Sequence, residues 1–201
     1  VKCTGKMELY GQTFHCWKEK GHGWVSLKNA MKQSCDTYFY EVARLLGVDR
    51  LNITAEKFGL GKKVLGEYFD TEKKGLFPNT KWKKNNLGRG WVLGETLITG
   101  IGQGYIQSTP LQLCMMTAQI ANGGYAIKPK IIVDSNPISY EDAKQSMESG
   151  LLFDTDSENL LDKKLFKEKK NIQIIQEAMF ASTNERFGTS YKSRIDDPKY
   201  Q

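Results

Sequence analysis

Apolar side chains recur with a helical step in some stretches of this chain and with none in others, and that contrast divides it. Ala30, Met31, Cys35, Tyr38, Phe39, Val42, Leu45 and Leu46 fall at three- and four-residue steps. This predicts one or two helices that bury a face, closed by Gly47. A short helix follows from about Asp49 to Phe58, with Gly59 as its stop. Thr109 is a good N-cap and Pro110 suits the first helical position. Leu111, Cys114, Met115 and Ala118 then form a stripe expected to be buried, and Asn122-Gly123-Gly124 ends that helix. Ile172, Ile175 and Met179 mark a last amphipathic helix over 171–182, with a turn at Gly188-Thr189.

Between these segments the pattern is weak. Residues 1–25 read as an ordered loop that something other than helix or sheet must hold. Residues 60–99, rich in Gly, Lys and Asn, read as long loops with at most a hairpin. Ile127 to Val133 is β-like, although Pro129 interrupts it, and 134–170 reads as a polar surface insertion.

Composition changes little in this picture. At 201 residues, with 39% hydrophobic and 26% charged positions, the chain is of ordinary globular type and can bury a sizeable core. It has no apolar run near the roughly 18–20 residues of a membrane span and no signal-peptide core at its start. Because it begins at Val1, it is expected to be a piece of something longer.

The net charge of +6 hints at nucleic acid, but the kind of cation argues against it. There are 24 Lys and only 5 Arg, the Lys spread in doublets beside acidic and small residues, whereas base and phosphate recognition leans on Arg forks. No nucleic-acid partner is expected. Weak attraction to an anionic polymer or membrane surface fits better.

The cysteines do change the picture. Three of the four, and both histidines, lie in the first 35 residues. Cys3, Cys16, His22 and Cys35 offer three thiolates and one imidazole from a segment without an apolar core of its own, the donor set of a closed tetrahedral structural zinc site. Ligation would order such a loop in place of apolar burial. His15 is a competing imidazole, though with Cys16 next to it the two would ligate awkwardly together. Two other readings stay open: a Cys3–Cys16 disulfide, and Cys35 as a core thiol. Cys114, on the apolar stripe, reads as packing.

Three blocks carry a resemblance. Gly21 to Leu27 (GHGWVSL), Ser34 to Tyr40 (SCDTYFY) and Gly100 to Leu113 (GIGQGYIQSTPLQL) resemble, in that order, the transpeptidase domain of class B penicillin-binding proteins, and within it the elongation-type branch. Ile120 to Gly124 (IANGG) with Pro129 matches the segment that follows. The resemblance implies an α+β fold of the penicillin-binding protein and serine β-lactamase kind. Residues 1–201 would form a partial domain, mostly the helical lobe.

It also implies acyl transfer through a serine acyl-enzyme, which needs a Ser-x-x-Lys, a Ser-x-Asn or Ser-x-Asp, and a Lys-Thr-Gly. Only the second occurs, as Ser34-Cys35-Asp36, so the fragment alone is expected to be inactive. Ser34 would relay a proton to the leaving D-Ala amine, and Asp36 would hold the lysine and the substrate amide. Partners implied are D-Ala-D-Ala stem peptides of peptidoglycan, β-lactams and a membrane glycan polymerase of the rod-shape complex. The place implied is the periplasmic face of the inner membrane.

Relatives carry zinc with His and Cys at positions matching His22 and Cys35, and often carboxylates where Cys3 and Cys16 stand. If Ser34 to Asp36 is locally extended, Ser34 and Asp36 face one side and Cys35 the other, so a metal behind the motif would pin it. Two rivals remain, a division-type relative and a non-catalytic zinc-stabilised binding module. The GIGQG stretch is not a phosphate loop, because the helix starts only at Thr109-Pro110; its glycines are expected to let the backbone turn tightly.

Overall fold

The computed structural model describes residues 1–65, 69–129 and 164–195, and it falls into two compact units. The first comprises Val1–Ile53, Pro78–Ile106 and Gln173–Gln201; the second comprises Thr54–Phe77 and Gln107–Ile172.

Within the first unit, residues 1–25 are not a loop but two small antiparallel ladders. β1 (Lys2–Cys3) pairs with β4 (Gly23–Trp24), and β2 (Lys6–Leu9) pairs with β3 (Gln12–His15). Tyr10 and Gly11, at φ 48° and 76°, make the tight turn between β2 and β3. β2 alternates polar and apolar residues, but strands of two to four residues are too short for periodicity to single them out.

The first helical stretch splits into α1 (Leu27–Lys32) and α2 (Asp36–Leu46), and Gly47 closes α2 at φ 77°. Thr37, Tyr40 and Ala43 form the buried face of α2. α3 (Val48–Lys57) matches the expected short helix within a residue.

Residues 78–106 hold two helices where loops were expected, α4 (Thr80–Leu87) and α5 (Leu93–Gly100). α4 has no apolar stripe. Asn79 caps it, accepting from the Trp82 N–H at 2.7 Å, and the buried Lys83 ammonium pairs with the Glu95 carboxylate of α5. α5 packs on α2 at a point where no side chain fits: a Cβ on Gly100 would overlap the Cβ of Ala43. Its glycines and β-branched residues make a poor isolated helix, and tertiary packing decides its conformation.

In the second unit, α6 (Pro110–Ala121) starts and stops as expected, with a capping box between Thr109 and Gln112. The expected buried stripe is wrong in part. Cys114 is exposed, and the fully enclosed side chains of α6 are Gln112 and Gln119 along with Met115. Gln112 Nε2 donates to the carbonyls of Lys62 (2.6 Å) and Lys74 (2.9 Å), and Gln119 Nε2 donates to that of Phe58 (3.1 Å). Among the described residues of 60–76 there is no ladder beyond the bridge of Leu76 to Gln107, and the Gln112 amide satisfies two carbonyls there. That requirement rotates the helix and turns Cys114 to solvent.

The last helix, α7 (Lys169–Asn184), also buries small residues, Ala178 and Ala181 with Ile172, and leaves Met179 40% exposed. Residues 127–129 are not in a strand; residues 130–133 of the β-like stretch and 134–163 of the expected insertion lie outside the described residues. No described helix is long and apolar enough to cross a membrane.

Replacing Gln112 by Leu keeps the volume but strands two carbonyls and the Thr109 N–H. Equilibrium unfolding in urea should show a loss of roughly 2–4 kcal/mol, the cost of leaving buried polar groups unpaired.

Candidate metal centre and the Ser-x-Asp motif

Backbone geometry brings the four candidate ligands together. The β1–β4 register sets Cys3 opposite Gly23, next to His22. The β2–β3 ladder is prolonged by the Cys16 N–H, which donates to the Gly5 carbonyl at 2.8 Å. Two glycines let these loops interlock: a Cβ on Gly5 would strike the Glu19 carbonyl, and one on Gly21 would strike the Cys3 carbonyl. Both have positive φ, 94° and 73°. Cys35 joins from the α1–α2 junction, its N–H donating to the Ala30 carbonyl at 2.8 Å.

The result is one cluster. The sulfurs of Cys3, Cys16 and Cys35 and a ring nitrogen of His22 all lie within 4.8 Å of one another. The three cysteines are 2%, 3% and 0% exposed, packed with Val25 and Ala30 against Tyr38 and Phe39. His22 Nδ1 stands 3.6 Å from both the Cys3 and Cys16 sulfurs. A tetrahedral d¹⁰ ion with bonds of about 2.3 Å to sulfur and about 2.1 Å to nitrogen sets that edge at ~3.6 Å. Among the described residues, buried His22 Nε2 has no hydrogen-bond partner, and the ring is set by what Nδ1 faces and by an edge-on contact with Trp17 at 5.5 Å. The donor set and its spacing fit a metal ion.

Ionisation favours the same reading. Burial raises the Cys3 thiol, but the Thr37 hydroxyl and the backbone and ring of His22 around it draw it down to about 6. Burial pushes Cys35 up to about 12; a contact with the Tyr38 backbone opposes this, while the Cys3 and Cys16 sulfurs add to it. Three sulfurs this close cannot all be thiolates without a cation between them, and a bound cation reverses that balance.

In this structure the four cysteines are free thiols, and Cys3, Cys16 and Cys35 lie together with His22 in the one cluster. His15, the competing imidazole, is exposed on β3 and outside the cluster; its carbonyl accepts from the Tyr40 hydroxyl at 3.1 Å.

The motif faces the way expected, for a different reason. Ser34 to Asp36 is not extended. Ser34 is left-handed at φ 52°, Cys35 is the N-cap of α2, and Asp36 opens the helix. This corner turns the exposed Ser34 and the half-buried Asp36 away from the wholly buried Cys35.

Two residues that periodicity could not single out hold the corner. The Trp17 N–H donates to Asp36 Oδ2 at 2.9 Å, and its indole N–H donates to the Gln33 carbonyl at 3.0 Å. Thr189 Oγ1 lies 3.0 Å from Ser34 Oγ, two hydroxyls sharing a hydrogen bond. Trp17 had one sequence signal, its place next to Cys16; Thr189 had only the Gly-Thr turn.

The glycines of the GIGQG stretch serve as turn residues, Gly102 and Gly104 both at φ 78°.

Fold, motif and cluster define a transpeptidase-type module, and comparison with known proteins agrees. The family model of the penicillin-binding protein transpeptidase domain matches residues 1–201, and the chain belongs to that family. Among curated proteins, it is 43% identical over 134 residues to the peptidoglycan D,D-transpeptidase MrdA of Acinetobacter baumannii, 66% of this chain and 20% of that protein. Among solved structures, it is similar to Pseudomonas aeruginosa PBP2 in complex with WCK 5153, at TM-score 0.79 and 33% identity, covering 98% of this chain and 42% of that one. It is similar as well to PBP2 of Helicobacter pylori in a complex with MreC, at TM-score 0.79 and 27% identity, covering 98% of this chain and 33% of that one. The chain thus spans about a fifth of the length of the curated relative it matches.

Gly21→Ala forces a left-handed alanine against the Cys3 carbonyl, straining the backbone by roughly 1–2 kcal/mol before the clash is counted. In the parent protein only the exposed Cys114 of this chain's four cysteines should react quickly with a thiol reagent. In the variant Cys3, Cys16 and Cys35 should become reactive too, counted by mass spectrometry.

Proposed function

We propose that this chain is the part of a peptidoglycan D,D-transpeptidase that presents the Ser-x-Asp motif, and that the complete protein cross-links cell-wall peptides through a serine acyl-enzyme. One observation carries this reading: Ser34 and Asp36 face outward at the start of α2, while Cys35 between them is buried in the thiol–imidazole cluster. Family membership supplies the reaction class.

In the proposed reaction a serine nucleophile attacks the D-Ala-D-Ala carbonyl of a stem peptide and a neighbouring lysine takes its proton. Ser34 passes a proton to the amine nitrogen as the C–N bond breaks, and D-Ala leaves. Asp36, its carboxylate held by the Trp17 N–H and set at the first turn of α2, orients the lysine and the substrate amide. The amine of a second stem peptide then takes the acyl group. β-Lactams acylate the same serine. These 201 residues contain no Ser-x-x-Lys and no Lys-Thr-Gly, so the chain by itself does not turn over.

The metal of the cluster is zinc in this reading, held by Cys3, Cys16, His22 and Cys35. Its role is structural: it fixes Cys35 and Cys16, the neighbours in sequence of Ser34, Asp36 and Trp17, and so holds the motif to a fraction of an ångström. Asp36 and this cluster favour an elongation-type enzyme over a division-type one. The relatives argue against a non-catalytic module. The protein would work on the periplasmic face of the inner membrane beside a glycan polymerase, its Lys-rich surface toward anionic wall and lipid. An MreC-like partner is in keeping with the complex that Helicobacter pylori PBP2 forms with MreC.

Labelled penicillin tests the enzyme reading. The complete protein should be acylated and Ser34→Ala should slow this about 100-fold, at the low end of what a positioned proton-transfer group contributes. A complete protein that takes no label overturns the reading. Metal analysis of the purified, reduced chain should find about one zinc, lost in Cys35→Ser. Finding none, with Cys3 and Cys16 joined as a disulfide, overturns the zinc assignment.

A further inference from the structure

The strongest unassigned feature lies on the far side of Ser34 from the metal cluster, where the chain returns from α7. Thr189 Oγ1 is 3.0 Å from Ser34 Oγ and 3.3 Å from Ser182 Oγ, so three hydroxyls form a line ending at the motif. The backbone holds Thr189 from two directions: its N–H donates to the Lys32 carbonyl at 3.0 Å, and the next N–H, of Ser190, donates to the Ser182 carbonyl at 3.1 Å. Glu185, the residue just after α7, adds ion pairs to Lys32 (2.7 Å) and Lys28 (3.0 Å) on α1.

The local backbone is unfavourable on both sides of this contact. Ser34 is left-handed at φ 52° and Phe187 at φ 69°, conformations that cost L-residues on the order of 1 kcal/mol or more each. Gly188 accepts no Cβ, because one would meet the Ser182 carbonyl. Strain at two residues and an obligatory glycine converge on one hydrogen bond between two exposed hydroxyls, which in water is worth little to stability. A contact so expensive to form and so weak as a fastener points to a role in orientation.

We infer that Thr189 is a positioning residue for Ser34: its hydroxyl donates to Ser34 Oγ, which keeps the Ser34 proton turned toward the leaving nitrogen. The inference rests on the acyl-transfer reading above. Ser34 Oγ must accept a replacement proton from the lysine as it gives its own to the amine, so the proton taken from the nucleophile ends on the leaving nitrogen. A hydroxyl has one proton and two lone pairs. With Thr189 filling one lone pair, the other faces the lysine, and the proton has a single direction left. Thr189 in turn accepts from Ser182, which keeps its own proton committed to Ser34.

The test uses the complete protein and a labelled penicillin, with binding and acylation separated by stopped-flow. Thr189→Val, which replaces the hydroxyl by a methyl, should lower the acylation rate constant about ten-fold, the value of one oriented hydrogen bond. The dissociation constant of the non-covalent complex and the melting temperature should stay as in the parent. Thr189→Ser should restore the rate, and Thr189→Ala should repeat the loss without the extra methyl. A parent-like acylation rate in both Thr189→Val and Thr189→Ala overturns the inference, as does a loss that Thr189→Ser fails to rescue. A parent protein that takes no label overturns the acyl-transfer reading itself, and this inference with it.

Discussion

Three buried sulfurs and one imidazole meet within 4.8 Å, and the rest of the first unit's N-terminal structure depends on that meeting. Ladders of two and four residue pairs do not stand alone in water. The segment also leaves three of its large aromatic side chains outside: Tyr10, Trp17 and Trp24 are 88%, 60% and 78% exposed. What it buries instead is small, chiefly Cys3, Cys16 and Val25. Apolar burial of that size does not offset the ordering of twenty-five residues. Under the metal reading proposed above, ligation would supply the difference, and the interlocked Gly5 and Gly21 let the loops close tightly around the cluster.

The motif inherits its geometry from this cluster. Cys35 anchors the corner between α1 and α2 from beneath, and the residue after Cys16 reaches over to hold Asp36. Each of these two cysteines therefore constrains the motif residue beside it, and Ser34 is left-handed where the chain turns between Cys35 and the Thr189 contact. An extended triplet would separate the side chains equally well, but it would not deliver Asp36 to the first turn of a helix, where the dipole favours a carboxylate.

Legibility in the sequence followed how each element is stabilised. α2, α3, α6 and α7 were visible because they bury one face or carry strong caps, and the clustering of Cys3, Cys16, His22 and Cys35 was visible because their donor chemistry is uncommon in a coreless segment. α4 and α5 were not, since Asn79, the Lys83–Glu95 pair and the contact with α2 hold them, and none of these repeats at a helical step. Burial on α6 was misjudged for a related reason. Hydrophobicity ranks Cys114 above Gln112 and Gln119, yet the carbonyls of an irregular loop need donors more than that helix needs another apolar contact. Thr189 shows the limit of reading along the chain: its partner lies 155 residues away, and only the fold joins them.

The blocks that carry the family resemblance also find a physical reason in the first unit. GHGWVSL contains the glycine that lets the loop approach Cys3 and the imidazole that faces two sulfurs. SCDTYFY contains the left-handed serine, the buried cysteine of the cluster, the carboxylate and, in Thr37 and Tyr40, the first buried positions of α2. GIGQG begins with Gly100, whose missing side chain admits Ala43 and the Phe39 carbonyl of that same helix. A larger residue at 100 would push α5 off α2, and with α2 would move the corner that Cys35 anchors. The first glycine of that stretch thus acts on the motif through helix packing and touches no ligand, which explains how a segment that binds no phosphate still belongs to the site.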